Sequence, residues 1–338
     1  MTQGQEPQLP WTQPGWLEQA SQWIHTELER QGIRVTGLIE QPHVRPWSTV
    51  LRVPSTEGPL YFKATSPVLA HEPALTQALS RWRPDCMPRV LAADLDRAWM
   101  LLLDFGASLR SIIKAERSIR HWHTVLPLYA RLQIELSSRT GELLSLGVLD
   151  RRLAVLPALY DQMLTDTATL RVDRPKGLTL DEYRQLREIR PRFAAMCEQL
   201  ANFHIPETLH HDDFHDGNIF VREGRFIFSD WAESCVSHPF FTLVVTLRSV
   251  EYTLELKEGG PERAQLRDVY LDAWTRDASR EHLLAAFNLA QRVAMVNRAL
   301  TWHRVVSNLP VAFKEQYAEP VPGWLQDFLA AVGEEQAA

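Results

Sequence analysis

Residues 209–221 read LHHDDFHDGNIFV, with three His, three Asp and one Asn set immediately before an apolar run. Such a window has three readings: a solvated loop, a metal cage, or a catalytic loop. Any one of these residues alone is read as solvated. Order and spacing argue for more. His211, Asp213 and Asn218 fill the pattern H-x-D-x-x-x-x-N, and Asp230 follows 12 residues after Asn218, in FIFSDW. The short apolar runs at 218–221 and 225–229, separated by REG, predict a hairpin that carries the chain back from Asn218 to Asp230. Phosphoryl transfer needs a carboxylate to orient and deprotonate a hydroxyl, together with hard oxygen ligands for Mg²⁺. Asp213 suits the first role, and Asn218 with Asp230 the second. The cage reading draws on His210, His211, Asp212, Asp213, His215 and Asp216 as ligands of a metal phosphohydrolase. It is the weaker one, because such sites gather ligands from several segments. Here the other histidines are scattered, and His204 and His238 lack company.

The chain of 338 residues suits two domains or one large two-lobed unit, and its 45% apolar content supports a substantial core. A net charge of −6 and the lack of a basic run argue against a nucleic-acid partner. Cys86, Cys197 and Cys235 are odd in number and widely spaced, which reads as three buried thiols. The N-terminal MTQGQEPQLPWTQPGW has neither a basic nor an apolar leader region, and no segment reaches membrane-spanning length, so a cytoplasmic protein is expected. Only five of the 36 basic residues are Lys. Lys63, set between apolar residues in LYFKA, therefore stands out.

Periodicity predicts an amphipathic helix over 14–31, carrying Trp16, Leu17, Ala20, Trp23, Ile24 and Leu28. Strands are expected at 48–53 and 60–64 around a turn containing Pro54, Ser55 and Gly58, and again within 89–103, the second of that pair at 98–103. HEPALTQALSRW reads as a helix with Pro73 at its first position. Beyond Gly106 helices dominate. Thr179 and Glu182 form a candidate capping box. Phe193, Met196, Cys197 and Leu200 make a helical stripe leading to the opening motif, Pro261 opens another helix, and a long helix near 281–303 carries Leu283, Phe287, Ala290 and Ala294. The fold class is α+β, with a small β-rich N-terminal lobe (1–103) and a larger helical C-terminal lobe (104–338).

The segment at 211–218 resembles the Brenner motif of the aminoglycoside phosphotransferase and choline-kinase-like family, whose fold is similar to that of protein kinases. That family typically reads HGDLHPGN and then IDW; this chain reads HDDFHDGN and FSDW. The resemblance implies Asp213 as catalytic base, Asn218 and Asp230 as metal ligands, His211 as anchor of the loop, and His215 near the transferring phosphate. It also implies a strand lysine on the nucleotide phosphates, held by a helix glutamate. Lys63 and Glu72 fit, although Glu72 beside Pro73 also reads as a helix cap. Backbone groups of Leu102, Leu103 and Asp104 would meet an adenine edge, a position equally consistent with an ordinary core strand. No glycine fingerprint occurs over 41–55, leaving the backbone of Trp47 and Ser48 or the side chain of Arg45 to cover the phosphates. The DW pair favours a small-molecule hydroxyl acceptor over a protein. Asp212, Asp216, Trp231 and Glu233 are candidates to line its site, with Trp302, His303 and Arg304 as further ones, although Trp302 reads first as a core residue. The implied donor is ATP, with GTP as alternative, and the implied ion is Mg²⁺. The competing functions are a nucleotide-binding module without catalysis and the metal phosphohydrolase. Acceptor identity and oligomeric state have no signature in the sequence.

Overall fold

The computed structural model describes residues 9–276 and 278–337. Half of the N-terminal stretch in which a leader was sought, residues 1–8, lies outside them. The chain divides into two compact units. One comprises the described residues up to Gly106 together with Val221–Ala232 and Asn308–Gln316; the other comprises Ala107–Phe220, Glu233–Ser307 and the residues from Tyr317 onward.

The first unit is built on a five-stranded antiparallel sheet in the order β1-β2-β3-β5-β4. Its strands are β1 (Glu40–Val44), β2 (Ser48–Ser55), β3 (Gly58–Thr65), β4 (Val90–Asp94) and β5 (Trp99–Leu103). Helix α1 (Trp16–Glu29) buries Trp16, Ala20, Ile24 and Leu28, one residue per turn, whereas Leu17 stays exposed. Trp16 and Trp23 meet Phe62 and Trp99 edge-on at 5.7–6.2 Å, so tryptophans that look scattered in sequence close one aromatic core. Pro54 and Ser55 lie inside β2 rather than in the turn. The Ser55 hydroxyl donates to the Gly58 carbonyl at 2.7 Å and accepts from the Glu57 amide, closing a tighter hairpin than the sequence led us to expect. Helix α2 (Glu72–Trp82) begins one residue earlier than expected, which places Pro73 at its second position. There the missing N–H still costs nothing, because first-turn donors have no intrahelical partner.

The second unit is helical around a three-stranded sheet. After the two-residue strand β6 (Ala107–Ser108) come α3 (Leu109–Glu116), α4 (Trp122–Leu136), α5 (Thr140–Ser145), β7 (Leu149–Asp150), α6 (Leu156–Thr165), α7 (Leu180–Glu188) and α8 (Arg190–Ala201). The Thr179–Glu182 capping box opens α7, and the α8 stripe is buried, as expected. Strand β8 (Thr208–His210) leads into the motif, which runs out into β9 (Ile219–Arg222) and its hairpin partner β10 (Arg225–Phe228). Strand β11 (Cys235–Ser237) pairs antiparallel with β8 and parallel with β7. Helices α9 (Thr242–Leu254), α10 (Pro261–Leu271), α11 (Arg280–Ser307), α12 (Val311–Lys314) and α13 (Pro320–Ala337) complete the chain, α12 belonging to the first unit. All three cysteines are buried free thiols. Among the described residues no helix is long and apolar enough to cross a membrane.

Candidate active site

In the first unit, β3 alternates: Leu60, Phe62 and Ala64 enter the core, and Lys63 projects from the opposite face. Its ammonium lies 2.6 Å from Glu72 Oε1 and 2.7 Å from Asp230 Oδ1. Glu72 is therefore the lysine's partner and not merely a cap. Burial works against the Lys63 charge, but the two carboxylates outweigh it and hold the ammonium above its ordinary range. Burial likewise pushes the Glu72 carboxyl up to about 7, against the pull of Lys63. Asp230 is half exposed and sits at φ 63°, a left-handed conformation uncommon outside glycine. The expected adenine segment is partly engaged within the protein: the Leu103 amide donates to the Arg89 carbonyl at 3.1 Å, and the Asp104 carbonyl accepts from Arg222. The turn between β1 and β2 is tight, with the Arg45 amide donating to the Ser48 carbonyl at 2.8 Å and the Arg45 carbonyl accepting from the Trp11 indole.

In the second unit, the motif loop is gripped from beneath. The Gln133 amide on α4 donates to the Leu209 carbonyl, the His211 amide donates to the Tyr129 hydroxyl at 3.1 Å, and the Phe214 ring stacks on Tyr129 at 3.9 Å. From α9, the Thr246 hydroxyl donates to the Phe214 carbonyl at 2.6 Å. His211 is fully buried, edge-on to Phe214.

Asp213 emerges from this base with its carboxylate fixed on both sides. Oδ1 accepts from Arg298 at 2.8 Å, and Oδ2 accepts from the Asn218 side-chain amide at 3.2 Å. The same Asn218 nitrogen also donates to the Asp213 main-chain carbonyl. His215 Nδ1 accepts from the Gly217 amide at 2.9 Å and faces Arg110, which assigns the ring proton to Nε2, 3.3 Å from Asp213 Oδ2. Burial pushes the Asp213 carboxyl up, but the Arg298 guanidinium and His215 more than reverse this and hold it well below the usual range. His215 is raised, Asp213 outweighing its burial.

Asp212 and Asp216, the departures from the family pattern, turn inward. Asp212 occupies the position where the family typically has glycine, and its backbone is left-handed, with φ 63°. Its buried carboxylate accepts from His210 at 2.9 Å, from Asn297 at 3.0 Å and from Thr301, with Arg151 at 3.5 Å and Arg298 at 3.8 Å. Burial alone would raise it; the His210 contact and the two guanidiniums bring it down to about 2. Asp216 is bound by Arg110 at 2.7 Å and by Ser249 at 3.1 Å. Arg298 also grips Glu233, whose carboxyl burial pushes upward.

The sequence reading missed Arg110, Arg151, Asn297 and Arg298. For the α11 pair the signal was present: Asn297, Arg298 and Thr301 continue the spacing of Leu283, Phe287, Ala290 and Ala294, so polar residues interrupt an apolar stripe. Trp302 is half-buried, 5.6 Å from the Arg298 guanidinium, and His303 pairs with Asp166 at 2.9 Å.

The metal-cage reading fails on geometry. His210, Asp212 and Asp216 are committed to buried protein partners, and among the described residues no group of three or more His, Cys, Asp or Glu is placed to hold a metal ion. Each unit by itself carries one donor of the type that suits a hard cation. With the Asn218 nitrogen spent on Asp213, its amide oxygen is the end left to ligate, and Asp230 offers an exposed carboxylate.

A β-sheet unit carrying a strand lysine held by a helix glutamate, and a helical unit carrying the H-x-D-x-x-x-x-N loop, define a kinase-like phosphotransferase architecture. The model of the phosphotransferase enzyme family (APH) matches residues 76–284, and the chain belongs to that family. The match takes in the motif loop and Asp230, and begins after Lys63 and Glu72. No curated protein matches the chain by sequence. Among solved structures, a choline kinase from Cryptosporidium parvum Iowa II is similar at a TM-score of 0.61 and 11% identity, covering 95% of this chain and 92% of that one. A Plasmodium vivax ethanolamine kinase gives 0.60 at 11% identity, with 98% and 97% covered. An aminoglycoside phosphotransferase in ternary complex with AMP-PNP and hygromycin B gives 0.53 at 13% identity, with 91% and 98% covered. At these identities the likeness establishes the fold.

Proposed function

We propose that the protein transfers the γ-phosphoryl group of ATP to a hydroxyl of a small molecule. The observation that carries this reading is Asp213, a carboxylate fixed by Arg298 and Asn218 yet a quarter exposed. Oδ2 faces two donors and Oδ1 one, so the open acceptor direction for an incoming hydroxyl is at Oδ1. In the transfer, the hydroxyl oxygen forms a bond to the γ-phosphorus while the bond from that phosphorus to the β,γ-bridging oxygen breaks. ADP leaves, and the hydroxyl proton passes to Asp213. Lys63, held by Glu72, neutralises nucleotide phosphate oxygens. Asn218 and Asp230 would hold Mg²⁺, which supplies charge neutralisation on the phosphates. The main chain around Leu102, Leu103 and Asp104 serves the adenine edge with the groups not already bonded to Arg89 and Arg222. The AMP-PNP complex of the aminoglycoside phosphotransferase neighbour supports ATP over GTP as the donor. Family membership and the full residue set favour an active enzyme over a binding module.

The test is a panel of choline, ethanolamine, amino-acid alcohols, aminoglycosides, macrolides and thioribose sugars with γ-labelled ATP, run beside Asp213→Ala and Asp230→Ala. Transfer to one acceptor class is expected. Asp213→Ala should abolish turnover while keeping the melting shift induced by Mg·ATP, and Asp230→Ala should diminish that shift. Wild-type turnover in Asp213→Ala would remove the base from the scheme.

A further inference from the structure

Arg298 stands out among the charges that touch none of the reacting atoms in this mechanism. It lies in the middle of α11, is only 4% exposed, and bridges Asp213 at 2.8 Å and Glu233 with separate guanidinium nitrogens. One residue before Arg298 and three residues after it, α11 also holds Asp212: Asn297 donates to Oδ1 at 3.0 Å, and Thr301 donates to Oδ2. The helix therefore clamps two consecutive loop residues, and Arg298 is the one contact that reaches the proposed base itself. A planar guanidinium fixes the directions of two carboxylates more rigidly than an ammonium on its flexible stem does. Its bond occupies one lone pair of Asp213 Oδ1 and leaves the other as the acceptor direction named above.

We infer that Arg298 is a positioning residue, setting the orientation of the Asp213 carboxylate so that the free direction of Oδ1 meets the acceptor hydroxyl, with Glu233 fixing Arg298 in turn. This rests on the proposed role of Asp213. Misplacing a reacting group by about 1 Å costs on the order of a hundredfold in rate. Arg298 acts through Asp213, so its loss belongs in kcat and not in nucleotide affinity.

The experiment measures phosphoryl transfer from Mg·ATP, with water as acceptor and then with any acceptor found in the panel, for wild type, Arg298→Gln, Arg298→Lys, Asp213→Asn and the double variant Arg298→Gln/Asp213→Asn. Arg298→Gln should lower kcat about a hundredfold, with KM for ATP changed less than about twofold. Arg298→Lys keeps the buried positive charge, so it remains a folded probe if the Gln variant does not fold. It should recover part of the loss and stay about tenfold below wild type. In the Asp213→Asn background, Arg298→Gln should cost no more than about threefold further, because the residue it positions is already disabled. Near-wild-type kcat in both Arg298 variants, or a full hundredfold loss persisting in the Asp213→Asn background, overturns the inference while leaving the base intact. Wild-type turnover in Asp213→Asn, or no transfer by the wild type at all, overturns the underlying reading instead.

Discussion

Asp212→Asn is the sharpest test of the buried charge network, because it removes one charge and almost no volume. Two routes give its magnitude. The carboxyl is held at about 2 against 3.8 in an unstructured chain, which corresponds to about 2–3 kcal/mol of stability at neutral pH. Removing one partner of a buried ion pair costs about 3–5 kcal/mol, because the stranded charge stays buried. The second figure applies more directly. Among the described residues Asp212 is the carboxylate partner of Arg151, which is 4% exposed, whereas Arg298 keeps Asp213 and Glu233. Urea unfolding followed by tryptophan fluorescence should therefore show a loss of about 3–5 kcal/mol, and thermal melting a fall of roughly 4–7 °C. The pH dependence has a fixed sign. Since Asp212 titrates lower in the fold, its contribution is complete above about pH 4 and is lost as pH falls through 2. Asp212→Asn should lack that acid-labile component. Asp212→Gly restores the residue typical of the family and relieves the left-handed backbone, which is worth about 1 kcal/mol, yet still strands Arg151. A Gly variant as stable as wild type, or an Asn variant losing less than about 1 kcal/mol, would refute the network argument.

Glu72→Gln keeps the shape of the buried partner but leaves Lys63 with Asp230 alone. The variant should lose about 1–3 kcal/mol in denaturant unfolding and show a smaller melting shift with Mg·ATP. An unchanged ATP shift would take Glu72 out of the nucleotide-binding set. His238 is fully buried beside Phe240 and Phe241, and burial lowers its imidazole to about 3, so the ring stays neutral in the fold. Its contribution is complete above the ordinary value of 6.5 and shrinks as pH falls, because only the unfolded chain gains the proton. Between pH 7.5 and 5.5 the wild type should lose about 1 kcal/mol that His238→Asn does not. Denaturation at the two pH values decides it.

How much of this was legible in the sequence depends on the range of the cause. The strands, the α7 capping box, the α8 stripe and the motif loop were readable because each is fixed by residues within a few positions of one another. Lys63 was readable through its apolar neighbours. Its pairing with Glu72 needed the structure, since a glutamate before proline serves equally well as a cap. Asp212 and Asp216 were misplaced as candidates to line the acceptor site. Their side chains face inward because Arg110, Arg151, Asn297, Arg298 and Thr301 meet them there, and these partners lie 61–106 positions away in the chain. A loop dense in Asp and His reads as solvated or metal-binding until those cations are in view.

The same cations bear on what Asp213 can contribute. Around the loop, three carboxylates (Asp212, Asp213 and Glu233) face two buried guanidiniums (Arg151 and Arg298), so the cluster is largely compensated within the protein. A carboxylate stabilised in this way is a weak base, and general-base catalysis is most effective when the base titrates near the working pH. Phosphoryl transfer through a loose transition state asks little of early deprotonation and much of alignment. In the proposed reaction, then, Asp213 would contribute chiefly by holding the hydroxyl in line with the phosphorus, taking the proton late. This is why a residue one helix away that fixes its orientation matters as much as the carboxylate charge.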